Sequence, residues 1–237
     1  MINTRAFSLA IALSLGLAIT AGGQSIATFG SAEVAGFGEG SALLGASANT
    51  GRQGWGPVGT LVAQTYRYRS GLNQHAQAYA LSPSIGLINI MPTGSVQAGV
   101  GYTFVNTDVT TSNVALETGS KSGVFVSAQG NYWGNGENSA QLIGSYGFAS
   151  EYYWTRARAA HRIAPSATPV YLGAELVVQG SQKFVPTATR YQFGPTLEYR
   201  FTPQFRMGVS GGYRDGTNNN SAGTGYGRVE FLLLTRM

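Results

Sequence analysis

Cysteine is absent from this chain, lysine occurs only at Lys121 and Lys183, and charged residues of both signs make up just 11% of it. Each shortage excludes something. Without cysteine there is no disulfide framework, so a small stapled fold is ruled out and the chain is held by burial and hydrogen bonding alone. Ordinary soluble domains carry charge at roughly a quarter of their positions and protect exposed sheet surfaces with lysine and glutamate. This chain has too few charges to coat a water-facing exterior. After the N-terminal segment, no continuous apolar run is long enough to cross a bilayer as a helix. Histidine occurs only at His75 and His161, and no His/Cys/Asp/Glu cluster has metal-ligand spacing, so no metal or other cofactor is implied. The net charge of +5 comes from arginines spread singly along the chain, not gathered in a patch, which argues against nucleic acid as a partner.

What the chain does have is glycine (34 residues) and aromatic side chains (11%), a combination suited to closely curved sheets with aromatic belts. It opens with MINTRAFSLAIALSLGLAITAGGQSIA, in which Arg5 precedes an apolar stretch from Ala6 to Ala21. Ser25 and Ala27 then supply small residues where a signal peptidase reads. The expected organisation is a cleaved signal over 1–27 and a single exported domain over 28–237. A retained membrane anchor is disfavoured because the run is short and broken by serines and Gly16.

The repeating motif is clearest in RYQFGPTLEYRF, residues 190–201. Arg190, Gln192, Gly194, Thr196, Glu198 and Arg200 alternate with Tyr191, Phe193, Pro195, Leu197, Tyr199 and Phe201. A period of two is a β-strand with one polar and one apolar face. The same alternation returns in GSVQAGVGYTFV, GVFVSAQGNYW, AQLIGSYGF, VYLGAELVV, FRMGVSGGYR and GYGRVEFLLL. MPTG (91–94), GNGEN (134–138), APSATP (164–169) and FTPQF (201–205) read as short turns, while 110–121 and 215–225 read as longer polar loops. The apolar parity flips between Phe148 and Tyr152, which calls for a hairpin around Ala149–Glu151. Pro195 in mid-strand suggests a bulge.

Counting back from the C-terminus gives ten strands from about residue 57, with the long loops at one end and the short turns at the other. An even number with an N-terminus on the short-turn side requires a further hairpin in 28–54, placed on Gly38-Glu39-Gly40. The expected fold is all-β, an antiparallel transmembrane β-barrel of twelve strands, with ten as the alternative. Tyr191 and Phe201 bracket the apolar face of one strand and lie roughly 25 Å apart along a tilted barrel axis, about the height of an outer-membrane apolar band. Tyr66 and Tyr68, Tyr102 and Phe104, and Tyr146 and Phe148 are placed in the same aromatic girdles. The apolar faces therefore meet outer-membrane lipid, and the polar faces line the lumen.

The candidate lumen-lining residues are Arg156, Arg158, Arg162, Glu175, Arg190, Glu198, Arg200, Arg206, Arg228 and Glu230. Neighbouring strands should bring Arg156 or Arg158 opposite Glu175, and Glu198 near Arg206. Two readings stay open: ion pairs that brace a narrow lumen, or a path or binding surface for an anionic or polyhydroxylated solute, given the excess of arginine. Catalysis has little to rest on. Gly208-Val209-Ser210-Gly211-Gly212 fits G-x-S-x-G, but that motif works at a strand–turn–helix elbow, not within a strand; a membrane-embedded lipid hydrolase is the weakest reading, and no catalytic residue is assigned.

The second half also resembles a known family. EYYWTRARAAHRI, VYLGAELVVQGSQKF, RYQFGPTLEYRFTPQFRMGVSGGYRDG and GYGRVEF resemble the BcsS family of cellulose-biosynthesis accessory proteins, and TYRYRSG (65–71) is similar to that family's Tyr-x-Tyr strand end. The resemblance implies a bacterial outer-membrane barrel with an accessory role in cellulose or exopolysaccharide biosynthesis or export, in contact with polysaccharide or with the synthesis machinery. No catalytic residues carry over. A small porin-like or structural barrel unrelated to cellulose is the alternative. Barrels of this type usually end on an aromatic residue, whereas this chain ends Leu-Leu-Leu-Thr-Arg-Met with Phe231 as its last aromatic.

Overall fold

The computed structural model describes residues 25–71, 74–109, 119–134, 136–164, 168–182, 188–216 and 223–236. Most of the expected signal segment (1–24), residues 110–118 and 217–222 of the two long loops, and 165–167 of the APSATP turn lie outside the described residues.

Twelve strands follow one another: β1 (Ser25–Ala35), β2 (Glu39–Asn49), β3 (Gly54–Gly71), β4 (Gln74–Met91), β5 (Gly94–Val109), β6 (Gly119–Tyr132), β7 (Asn138–Gly147), β8 (Tyr152–Ala164), β9 (Val170–Ser181), β10 (Ala188–Arg200), β11 (Phe205–Gly216) and β12 (Thr224–Arg236). Each pairs antiparallel with its chain neighbours, and β12 returns to pair with β1, closing the barrel. Closure removes every free edge, which a lipid-embedded sheet must do because hydrocarbon offers no hydrogen bonds. The seam runs unbroken from Ser25↔Arg236 to Ala35↔Tyr226, and the Phe231 ring lies over Gly30, where a Cβ would stand 2.4 Å from it. The flipped parity after Phe148 is resolved by a turn at 148–151, in which Glu151 takes φ 47°.

Three local expectations need correction. The N-terminal hairpin turns on Gly36-Phe37-Gly38, with φ of 62° at Phe37 and 71° at Gly38, not on Gly38-Glu39-Gly40. Glu39 therefore belongs to β2 and pairs with Ala35. Pro195 creates no bulge: β10 holds one register against β11 from Phe193↔Tyr213 to Thr196↔Ser210 and pairs continuously with β9. Small neighbours make this possible, since a Cβ on Gly194 would fall 2.1 Å from the Gly211 carbonyl oxygen, so the backbones pass closer than side chains would allow. Finally, Tyr66 and Tyr68 do not join an outer girdle. They pair with Ala78 and Ala76, both wholly buried, on the inner face. β3 and β4 each run 18 residues, against about 9–11 needed to span the bilayer. Their far ends stand above the membrane, where Arg67 faces outward into water and the lipid rule no longer sets parity.

Over the remaining wall the barrel is inside-out. Leu142 (57% exposed), Phe193, Leu197, Val209 and Val229 point outward. The buried side chains, including those of Glu175 (3%), Gln192 (1%), Thr196 and Arg228, all share the inward parity. At the end where β1 starts and β12 finishes, periplasmic in an outer-membrane barrel, Tyr199, Phe201 and Phe205 pack in sequence at 4.5 and 5.3 Å. There the Trp133 indole donates to the Pro92 carbonyl at 3.0 Å, tying two short turns together. At the opposite end, Phe193 meets Tyr213 and Tyr102 meets Phe104. These are the two aromatic girdles expected at the lipid–water boundaries.

Candidate functional site

The site is the inward face of one half of the barrel. From β8 through β12 to β1 and β2, every strand carries at least one arginine or glutamate on its inward face. The inward positions of β3–β5 and β7 are uncharged, such as Thr60, Ser84, Thr103 and Gln141. A carboxylate inside a low-dielectric wall needs a cation or several donors. Guanidinium suits the task because it stays charged and offers five donors in a fixed plane.

The Arg156 guanidinium donates to Gln141 on β7 at 2.5 Å and to Glu230 on β12 at 2.9 Å. Arg158 bridges Glu230 and, at 3.0 Å, Glu175 on β9. Glu175 in turn accepts from Arg228 at 3.0 Å and from the Tyr226 hydroxyl at 3.1 Å. Arg228 continues to Glu33 on β1 through Nε at 3.0 Å, and Glu33 also accepts from Gln192 on β10 at 2.8 Å. Arg214 lies 3.6 Å from Glu33 and 3.0 Å from Glu39, and Arg190 closes the series on Glu39 at 3.0 Å. On the other side, Gln141 donates to Asn131 on β6, which donates to Ser95 on β5. The links therefore run without a break from β5 to β2. Several are chords: β8 and β12, or β10 and β2, are not wall neighbours, so their side chains can meet only through the interior.

A second cluster sits at the periplasmic end. Glu198 accepts from Arg200 at 2.8 Å and lies 3.3 Å from Arg206. Arg162 lies on the same side of the wall, one strand beyond Tyr171, with no carboxylate partner among the described residues. The candidates thus divide. Arg156, Arg158, Glu175, Arg190, Arg228 and Glu230 join the long network, whereas Arg162, Glu198, Arg200 and Arg206 stand apart from it.

The sequence reading left out Glu33, Glu39 and Arg214. Arg214 shares parity with Arg206 and Ser210 on β11 and could have been included on that ground. The two glutamates became visible only once the first hairpin was placed correctly. Ser210 is buried within β11 opposite Thr196, and His161 lies on the outer face at the periplasmic rim, 2.9 Å from Asn138. The G-x-S-x-G segment forms no elbow.

The model of the family described as cellulose biosynthesis protein BcsS matches residues 19–235. The chain belongs to that family. It is a bacterial outer-membrane β-barrel with a cellulose-biosynthesis-associated role. Among solved structures, the β domain of the Bordetella autotransporter BrkA is 13% identical with a TM-score of 0.52, over 90% of this chain and 99% of that one. A TodX deltaS2S3 mutant, a monoaromatic hydrocarbon channel, is 7% identical with a TM-score of 0.52, over 94% of this chain and 91% of that one. At these identities both show the fold alone. A search of curated protein sequences found no match.

Proposed function

We propose that this BcsS-family barrel is a non-catalytic accessory component of cellulose or exopolysaccharide production, working beside the synthesis or export machinery and not as a wide conduit for the polymer. The observation that carries this reading is the packed interior. In an open pore the lumenal side chains would be the wet ones; here the buried side chains are the lumenal ones, and ion-pair chords cross between non-neighbouring strands. Barrels of eight strands are filled by side chains and those of sixteen or more hold aqueous channels. A twelve-strand wall lies between, and this one is loaded with long arginines.

The same reading takes 1–27 as a cleaved export signal and 28–237 as the mature barrel. A lipid hydrolase gains no support, because Ser210 lies within β11 and not at an elbow, and its hydroxyl meets no base among the described residues. The competing reading, a small porin-like or structural barrel unrelated to cellulose, makes a different prediction about the cell. Deleting the gene from the source bacterium should lower cellulose output, and the wild-type gene supplied in trans should restore it. Unchanged output in the deletion strain would remove the cellulose role and leave the barrel to the competing reading.

A further inference from the structure

The surplus of lumenal positive charge is not spread evenly. In the long network, Arg156, Arg158, Arg190, Arg214 and Arg228 face Glu33, Glu39, Glu175 and Glu230, close to balance. At the periplasmic mouth, Arg200 and Arg206 share the carboxylate of Glu198, while Arg162 lies two strands away on β8 with its backbone N–H on the Glu137 carbonyl oxygen. Arg200 and Arg206 are also direct cross-strand partners, an arrangement of like charges that a sheet ordinarily avoids. The group is held in place. The Arg200 guanidinium lies 4.0 Å from the centre of the Tyr171 ring, and the Tyr171 hydroxyl is anchored to the Gly136 carbonyl oxygen at 2.6 Å. Arg206 is among the more accessible of the inward arginines, with 34% of its side chain exposed, against 7–12% for Arg156, Arg158, Arg214 and Arg228.

We propose that Arg200 and Arg206 form a seat for an oxyanion, a carboxylate or phosphate group presented from the periplasm. Planar guanidiniums match such groups through paired N–H donors, and an added anion relieves the repulsion between Arg200 and Arg206. Glu198 occupies part of the seat and acts as an internal competitor. Cellulose is uncharged, so this seat serves a ligand other than the glucan and does not depend on the cellulose role. The anion can come from a free solute or from acidic side chains of a periplasmic partner, and the chemistry is the same for both.

The test uses the full-length mature barrel in detergent, with inorganic phosphate and a glutamate-rich peptide as separate probes in titration calorimetry. Binding of phosphate alone points to a solute; binding of the peptide, with or without phosphate, points to a partner segment. In either case Arg200→Gln and Arg206→Gln should weaken binding at least tenfold, while Arg67→Gln, on the outer surface at the other end, leaves it unchanged. Glu198→Gln should tighten binding, an effect that a purely structural ion pair does not produce. On the wild-type barrel, phosphate should also raise the unfolding temperature above that in chloride of equal ionic strength, a reading that needs no variant to fold. Absence of binding by both probes, arginine variants that bind like wild type, no tightening in a folded Glu198→Gln barrel, or equal unfolding temperatures in the two salts would each overturn the proposal.

Discussion

Arg156 on β8 and Glu230 on β12 meet at 2.9 Å although β9, β10 and β11 separate their strands along the wall. Their side chains are only 12% and 18% exposed. A neutral replacement on one side alone therefore strands a charge. Glu230→Gln leaves Arg156 without a carboxylate and Arg158 with only Glu175, and should destabilise the barrel by about 3 kcal/mol. Equilibrium unfolding in phospholipid vesicles, followed by tryptophan fluorescence, measures it. Adding Arg156→Gln to Glu230→Gln should recover part of the loss, since removing both charges is less costly than orphaning one. A double variant as weak as the sum of the singles would show that this chord does not couple the two strands.

The same chords bear on conduction. Purified wild-type barrel in planar bilayers should give no large, long-lived current steps. Replacing Arg156, Arg158 and Arg228 together by serine, with Glu175 and Glu230 changed to glutamine, removes the long side chains from the centre and should open a measurable ion path. Porin-sized steps from the wild type would contradict the packed lumen and restore the solute-path reading.

Much of this architecture was legible in the alternation of residues. Strand parity alone separates Tyr191, Phe193 and Leu197 from Arg190, Gln192 and Glu198, and the parity flip marks the turn before Tyr152. Parity also puts Arg158 and Glu175 on one face of adjacent strands, where they lie 3.0 Å apart. The chords were not legible. Arg156 and Glu230 are 74 residues apart, and which rows face one another across a lumen depends on how the closed sheet is sheared, a property of the whole ring. Glu39 was hidden because GFGEG offers two overlapping places for a tight turn. Tyr66 and Tyr68 misled because the rule that aromatics face lipid applies only to the part of a strand that is in lipid.

Cleavage of the N-terminal segment has a consequence for the seam. Cutting after Ala27 would remove three residues of β1 that pair with Arg236, Thr235 and Leu234. Intact-mass measurement of the barrel purified from outer membranes should give a mature chain starting at Thr28. A start upstream of Ser25 would place the cut elsewhere and leave the whole seam paired.

Glycines on the strands should respond unequally to the same change. A Cβ on Gly194 would fall 2.1 Å from the Gly211 carbonyl oxygen, a backbone atom that cannot swing aside, whereas a Cβ on Gly130 meets nothing within 4 Å. Gly194→Ala must push β10 and β11 apart beside Pro195 and should cost roughly 1–3 kcal/mol. Gly130→Ala should be neutral or slightly stabilising, because it only narrows the freedom of the unfolded chain. Equal effects on the unfolding midpoint would show that the close approach is not a requirement of the fold.

The outermost test concerns which side meets hydrocarbon. Leu176 and Val177 are neighbours near the middle of β9, but Leu176 is 46% exposed on the outer face and Val177 is wholly buried on the inner one. Leu176→Arg forces a guanidinium towards the bilayer midplane and should cost about 2–4 kcal/mol in lipid vesicles. In detergent micelles, where water reaches the outer wall more easily, the penalty should shrink. Leu176→Ala separates the lost apolar area from the added charge and should weaken the barrel less than arginine does. If arginine at position 176 proved as harmless in vesicles as alanine, the outer wall would not be the lipid face, and the assignment of every strand's parity would have to be reversed.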